Sequence, residues 1–265
     1  MDDQQFRQLL SQFGYLWEGY RKVRRGVKKR VTHHMQQTDC RTMQAYFSLL
    51  HEDTEARQHF DRLMTISISR FFRDRRLWEV LEKEILAGLV KQHSDRLKVW
   101  SAGCACGEEV YSLKVVWERL NRLQMLPELE MLATDMNPVY LKKAQDGVYP
   151  RSSLREVPEA IREAFFRPVH KGRSYAVIEG LKEGVVWQKH NLLFDSPGSN
   201  FHLVFLRNSL LTYYKDELET PAFQNVTKSI AQGGLLIIGS HEKLPVGKCG
   251  VVPTDLHPHI YRKKH

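Results

Sequence analysis

Apolar side chains recur at three- and four-residue steps through the first part of this 265-residue chain. Phe6, Leu9, Leu10 and Phe13 fall on one helical face. Leu16, Tyr20, Val23, Val27 and Val31 follow at steps of four, three, four and four, and predict one amphipathic helix with an unbroken apolar stripe. Shorter helices are predicted over 43–50 and 55–64. Residues 1–78 are therefore read as an all-α N-terminal domain.

Near residue 96 the period changes. Residues 97–103 (LKVWSAG) form a short apolar run ending in a small-residue turn. A helix is predicted over 108–123, with Val110, Leu113, Val116, Trp117 and Leu120 as its buried stripe. Residues 129–135 (LEMLATD) predict a second strand, followed by a helix from 138 to about 145. Strand, glycine-bearing turn, helix and strand make a βαβ unit, so residues 79–265 are read as α/β with a parallel sheet covered by helices. The alternation resumes with strands over 185–191 and 201–208, a helix over 215–232, a strand over 235–241 and an edge strand in HIYRKK. Between 148 and 184 the rhythm breaks. Helix and loop are expected over 148–166, and YAVIEGLKEGVVW reads as strand, turn and strand, so this stretch is taken as a small insertion on the sheet.

Composition changes this picture little, and charge changes it more. No run approaches the roughly 18 uncharged apolar residues of a membrane span, and the start lacks the basic and apolar regions of a secretory signal. The four cysteines include no CxxC pair, so neither a disulfide scaffold nor a metal site is expected, and a cytoplasmic location is. Lys and Arg number 40 against 31 Asp and Glu, a net charge of +9. Much of it is concentrated in Arg21, Lys22, Arg24, Arg25, Lys28, Lys29 and Arg30, with only Glu18 close by in sequence. That density points to an acidic partner rather than a merely solvated helix face.

The first βα turn, GCACGEE over 103–109, lets backbone approach a ligand and exposes helix N–H groups. It is not GxGxxG, and a tight turn alone explains its small residues as readily as a ligand does. Glu108 and Glu109 answer the helix dipole or, equally, a positive ligand. Asp135 closes the second strand, where an acidic side chain commonly takes ribose hydroxyls; capping the helix at Pro138 is the other reading. Together these features suit a cationic, ribose-bearing nucleoside, and S-adenosylmethionine fits. Phe71, Phe72 and Leu77 read as an interdomain core, with Arg70 and Arg73 solvated between them. Arg207 and Asn208 end the fourth strand at the sheet's carboxyl edge, where ligands bind in such folds.

FFRD, WSAGCACGEEVYSL, ATDMN, HNLL, RNSLLTYY and GSHEKLP occur in this order. Six motifs in register, over about residue 14 to the C-terminus, resemble the CheR family, the protein-glutamate O-methyltransferases of bacterial chemotaxis. The resemblance implies a helical domain followed by a Rossmann-like S-adenosylmethionine-dependent sheet with a small β-subdomain over about 148–184. It implies that Glu108 and Glu109 face the methionine portion, Asp135 holds the ribose, and Asn191 and Leu192 flank the adenine. Gly103 lies in the cofactor turn. Ser67 and Ser69 stand where the family has Asn and Thr near the cofactor. Arg73 stands near the reacting methyl, and Arg207 and Asn208 match the strand-end pair. The family tyrosine falls on Thr212, with Tyr213 one place later, and the second acidic residue of the family's ATDID is Asn137. The implied partner is the acidic helical methylation region of chemotaxis receptors, docking on Arg21 to Arg30. A receptor C-terminal tail adding to the β-subdomain is a second expectation. Two other readings stay open: a CheR-like chain that binds cofactor or receptor without turnover, and a nucleic-acid methyltransferase. The latter lacks a DPPY-like turn, and its only nearby thiols, Cys104 and Cys106, lie on the cofactor loop.

Overall fold

The computed structural model describes residues 1–247 and 249–264. The N-terminal part packs helices α1 (Asp3–Gln12), α2 (Trp17–Tyr20), α3 (Arg24–Gln37), α4 (Met43–Glu52) and α5 (Thr54–Met64). Their starts are written locally: Asp2 and Gln5 form a reciprocal capping box, Thr42 caps α4, and Asp53 caps α5. The predicted stripe is buried, with Tyr20, Val27 and Val31 joining Phe6, Phe13 and Phe60 in one core. The single helix expected across Leu16 to Val31 is nonetheless broken. α2 ends after Tyr20, and α3 begins at Arg24 and runs on to Gln37. Both helices pack on one core, so the apolar period survives the break.

A helical run that patterning did not separate follows: α6 (Arg75–Val80), a wide π turn (Leu81–Ile85) and α7 (Leu86–Gln92). Phe71, Phe72 and Leu77, expected in an interdomain core, pack with the sheet, and Trp78 joins them there. Arg70, expected in solvent, pairs with Glu156.

The sheet follows the expected βα alternation through β1 (Arg96–Ala102), α8 (Glu108–Asn121), β2 (Glu128–Asp135) and α9 (Pro138–Asp146). The insertion holds β3 (Val148–Pro150), α10 (Glu159–Phe165), β4 (Phe166–Val169) and β5 (Ser174–Val177), whose strands form a separate antiparallel sheet in the order β3-β5-β4. β3 falls where helix and loop were expected. The chain continues with β6 (Val185–Lys189), β7 (Phe201–Leu206), α11 (Leu210–Tyr213), α12 (Asp216–Ser229), β8 (Ile230–Ile238), β9 (Val251–Pro253) and β10 (Ile260–Lys263). The helix predicted to 232 stops at Ser229 because Ile230 already pairs with Phe201.

The main sheet has the order β6-β2-β1-β7-β8-β10-β9. β6 through β8 are parallel, and β10 is antiparallel to β8 and β9. Side chains alternate across it. Leu97, Val99, Leu203, Phe205, Leu235 and Ile237 pack into one core, with the α8 stripe. Trp100, Ala102, Val204, Leu206, Leu236 and Ile238 pack into the other, with Phe223 and Val226 of α12. Strand order reverses between β1 and β7, so their carboxyl ends open a crevice.

The helical part is clipped over that crevice. The Leu16 N–H donates to the Tyr213 carbonyl at 2.8 Å, and the Lys215 N–H donates to the Gly14 carbonyl at 2.9 Å. A Cβ at Gly19 would lie 2.2 Å from the Thr212 carbonyl oxygen, so α2 seats only without a side chain there.

Candidate functional site

The turn after β1 is bent by three residues at positive φ: Gly103 (+82°), Ala105 (+48°) and Gly107 (+88°). The N–H groups of Gly103 and Cys104 both donate to the Thr134 carbonyl, at 2.9 and 2.8 Å, which pins the turn against the end of β2. A Cβ at Gly103 would stand 2.9 Å from the Ser209 Cβ, so the close approach requires glycine.

Asp135 receives the Ala105 N–H at 3.0 Å and the Asn137 N–H at 2.8 Å. Asn137, not Asp135, caps α9, its side chain accepting from the Val139 N–H at 3.1 Å. The helix-capping reading of Asp135 therefore falls. Burial pushes the Asp135 carboxyl up to about 6, against the opposing pull of those two N–H groups. One bond to each oxygen leaves acceptor capacity for a ligand hydroxyl.

The two arginines differ in their partners. Arg207 donates to Glu109 at 3.0 Å, to the Arg73 carbonyl at 3.3 Å, and to Asp74. Glu109 also accepts from the Ser101 hydroxyl at 2.8 Å. Its charge is thus compensated by Arg207, which sequence reasoning did not foresee. Among the described residues Arg73 donates only to neutral acceptors, the Ile68 carbonyl at 3.3 Å and the Asn208 side chain at 3.2 Å. Phe72, Asp74 and Asn208 all hold positive φ (+53°, +67° and +53°), and such conformations concentrate where a site over-determines the backbone.

These groups face a cleft of about 940 Å³, counting its open mouth. Ser69, Arg73, Gly103, Glu109, Asp135, Asn191, Leu192, Arg207, Asn208 and Tyr213 all line it. Ser67 and Glu108 do not. Ser67 sits beside the Cys106 thiol. Glu108 turns towards Ser153, and burial raises its carboxyl to about 6. Neighbouring residues on a helix diverge by about 100°, so two consecutive glutamates cannot share one face. Tyr20, Asp61, Met64 and Thr65 of the helical part form the opposite wall, and Met136, His190 and Tyr214 are also among the lining residues. No local signal marked Tyr20 or Asp61, because their nearness to the strand ends is purely tertiary. His190 was the legible omission, standing next to Asn191.

The basic helix is less free than its sequence implied. Arg24 and Lys28 pair with Asp3 at 3.0 and 2.6 Å. Arg30 donates to the carbonyls of Leu63 at 2.9 and 2.7 Å and Thr65 at 3.0 Å, holding the end of α5. Arg21, Lys22, Arg25 and Lys29 remain exposed. Three of the seven cations are thus engaged within the molecule, which the sequence could not show because Asp3 is remote along the chain but adjacent in space.

Three carboxylates (Asp61, Glu109, Asp135) against two guanidiniums (Arg73, Arg207) give the lining one excess negative charge. The His190 Nδ1 on the same wall is buried with no partner among the described residues. Negative surplus, an orphaned ring nitrogen and a glycine-tight turn fit a cationic nucleoside. Cys104 and Cys106 are protonated thiols: burial raises Cys104 well above its usual range and Cys106 to about 11. Base-carbon methylation through either thiolate is correspondingly disfavoured. Among the described residues no helix is long and apolar enough to cross a membrane.

Residues 67–254 match the family described as CheR methyltransferase, SAM binding domain. The chain is 33% identical over 218 residues to the chemotaxis protein methyltransferase of Listeria innocua serovar 6a, covering 82% of this chain and 81% of that protein. It is 34% identical over 218 residues to the same-named protein of Listeria monocytogenes serovar 1/2a, with the same coverage. Chemotaxis protein methyltransferase 2 of Vibrio cholerae serotype O1 is 26% identical over 228 residues, covering 82% and 77%. The motifs, the strand-end cavity and the extent of this match lead to one assignment: the chain belongs to the CheR methyltransferase family and takes S-adenosylmethionine as its methyl donor.

Proposed function

We propose that the protein methylates glutamate side chains in the cytoplasmic helices of chemotaxis receptors, forming glutamate methyl esters. The observation that carries this reading is Arg73. It is the cavity's guanidinium without a carboxylate partner among the described residues, while Arg207 is held by Glu109 and Asp74. A free guanidinium at the mouth of a cofactor cleft suits an incoming carboxylate.

Bound S-adenosylmethionine would supply an electrophilic methyl on a sulfonium. A glutamate with its usual pKa of about 4.3 arrives already ionised, so the chain need furnish no general base. Arg73 orients the carboxylate, held in turn by Asn208 and the Ile68 carbonyl. Asp135 holds the ribose, and Asn191 and Leu192 flank the adenine. Tyr213, Tyr20 and Met64 exclude water where opposite charges are neutralised. Exposed Arg21, Lys22, Arg25 and Lys29 meet the acidic receptor helix by charge complementarity. The edges β3 and β4 of the small sheet offer strand addition to a receptor tail. We further propose two domains whose cores part between Met64 and Phe71, upstream of the 78/79 division expected from patterning.

The test is transfer of tritiated methyl to a receptor cytoplasmic fragment. Label released as methanol by mild alkali is the expected result. Alkali-stable label, or label entering RNA instead, overturns the reading.

A further inference from the structure

Thr212 occupies the position of the family tyrosine, and its hydroxyl is committed elsewhere. It donates to Glu242 at 2.6 Å. The other Glu242 oxygen receives the Gly239 N–H at 2.6 Å, and the Asn208 N–H faces this carboxyl. Glu242 is only 7% exposed, although it lies in a loop beyond β8. Gly239 leaves room for it: a Cβ there would come within 2.7 Å of Glu242 and 2.8 Å of the Asn208 side chain.

Glu242 thus stands behind both reactive-end groups. Through Thr212 it fixes the short turn whose last residue is Tyr213, so that ring reaches the cavity and packs 4.9 Å from the ring of Tyr20. Its carboxyl also lies beside Asn208, whose side chain holds Arg73. Removing a tyrosine from position 212 then costs the site no aromatic ring, because the Thr212 bond turns the next residue inward.

We propose that Glu242 is a positioning residue, a buried latch that sets Tyr213 and Arg73 in the cavity through Thr212 and Asn208. This rests on the proposed methylation of receptor glutamates only in its activity readout. Gln at 242 can keep the latch, its oxygen accepting from Gly239 and its amide donating to the Thr212 hydroxyl. Ala at 242 and Val at 212 cannot.

Methyl transfer to receptor fragments is measured alongside calorimetric binding of S-adenosylhomocysteine. Glu242→Ala and Thr212→Val are expected to lower kcat about 10-fold or more, because small misplacement of reacting groups costs up to about 100-fold, with cofactor affinity held within about threefold. Glu242→Gln and Thr212→Ser should restore kcat. In tyrosine-labelled protein without substrate, Glu242→Ala should shift the Tyr213 ring resonance and remove its cross-peak to Tyr20, whereas Glu242→Gln should leave both. If the wild-type chain methylates no receptor fragment, the proposed function falls, and the ring spectra alone judge the latch. Unchanged spectra in Glu242→Ala, wild-type kcat in that variant, or parallel loss of kcat and cofactor binding would each overturn it.

Discussion

The two walls of the cavity are held in different ways. On the sheet side, Gly103, Asp135 and Arg207 stand at the ends of adjacent parallel strands, and each is tied down: Gly103 donates to the Thr134 carbonyl, Asp135 accepts from the Ala105 and Asn137 N–H groups, and Arg207 donates to Glu109 and Asp74. On the helical side, Tyr20, Asp61 and Thr65 ride on short helices with their own aromatic core. That wall meets the sheet side through hydrogen bonds that include Leu16 to Tyr213, Lys215 to Gly14 and to Ser11, Asn137 to Arg62, and the side chains of Asn137 and Tyr140 to Thr65. A parallel ladder makes a rigid frame suited to one constant ligand. A clipped wall can give slightly, which suits the side of the cavity that the proposed receptor substrate would approach. Arg73 lies between them, tied on one side to Asn208 and on the other to Ile68.

This contrast can be broken at four points, taken in order of expected effect. Arg73→Ala should lower turnover roughly 10²–10³-fold, the usual cost of one preorganised donor at a reacting centre. Binding of S-adenosylhomocysteine should barely change, and unchanged turnover would remove Arg73 from the reaction.

Asp135→Ala should weaken S-adenosylhomocysteine by about 1.5–3 kcal/mol, the worth of hydrogen bonds to a charged group, or roughly 10- to 150-fold. Its pH dependence sharpens the test. With the folded carboxyl near 6, cofactor affinity should rise as pH increases through about 6, and Asp135→Asn should flatten the curve. Without ligand the sign reverses for stability. Between about 4 and 6 the folded form keeps a proton that the unfolded chain has lost, so this residue's contribution falls as pH rises across that window. Equal affinity at pH 5 and 7 would separate Asp135 from the ribose.

Gly19→Ala places a Cβ 2.2 Å from the Thr212 carbonyl oxygen. Overpacking of this kind costs about 1–3 kcal/mol. Amide exchange should quicken at Leu16 and Lys215 while the sheet amides stay protected; uniform exchange throughout would show that the two walls open together. Last, Arg25→Glu with Lys29→Glu should reduce receptor methylation several-fold at low salt and little at high salt, since exposed charges act mainly through screened association. Arg24→Glu, which removes an intramolecular partner of Asp3, should lower thermal stability as well. Identical methylation by the double variant at low salt would make the exposed face of α3 a bystander.

Much of the frame was legible residue by residue. LKVWSAG and LEMLATD gave β1 and β2 because buried parallel strands are short apolar runs, and the stripe of Val110, Leu113, Val116 and Trp117 gave α8. Residues 75–92 were not resolved into helices, because their apolar positions serve a sheet core that begins twenty residues later in the chain. The end of α12 was missed because a strand pairing, not helix propensity, stops it at Ser229. In the site, the turn, Asp135 and the Arg207–Asn208 pair could be named from motifs. Glu108 was named with Glu109 because a sequence string does not show which way each side chain turns.

Local patterning, then, was enough to determine the main βα alternation of the sheet, the position of the turn after β1 and the residue types available there. Those depend on period, chain direction and residue type, which are properties of neighbours in sequence. Tertiary structure alone decided which charges are spoken for. Asp3 meets Arg24 and Lys28, Glu109 and Asp74 meet Arg207, and Glu242 meets Thr212, each across a separation along the chain that periodicity cannot bridge. Arg73 remains without a carboxylate partner among the described residues for the same reason: the fold delivers acidic groups to its neighbour and neutral ones to it.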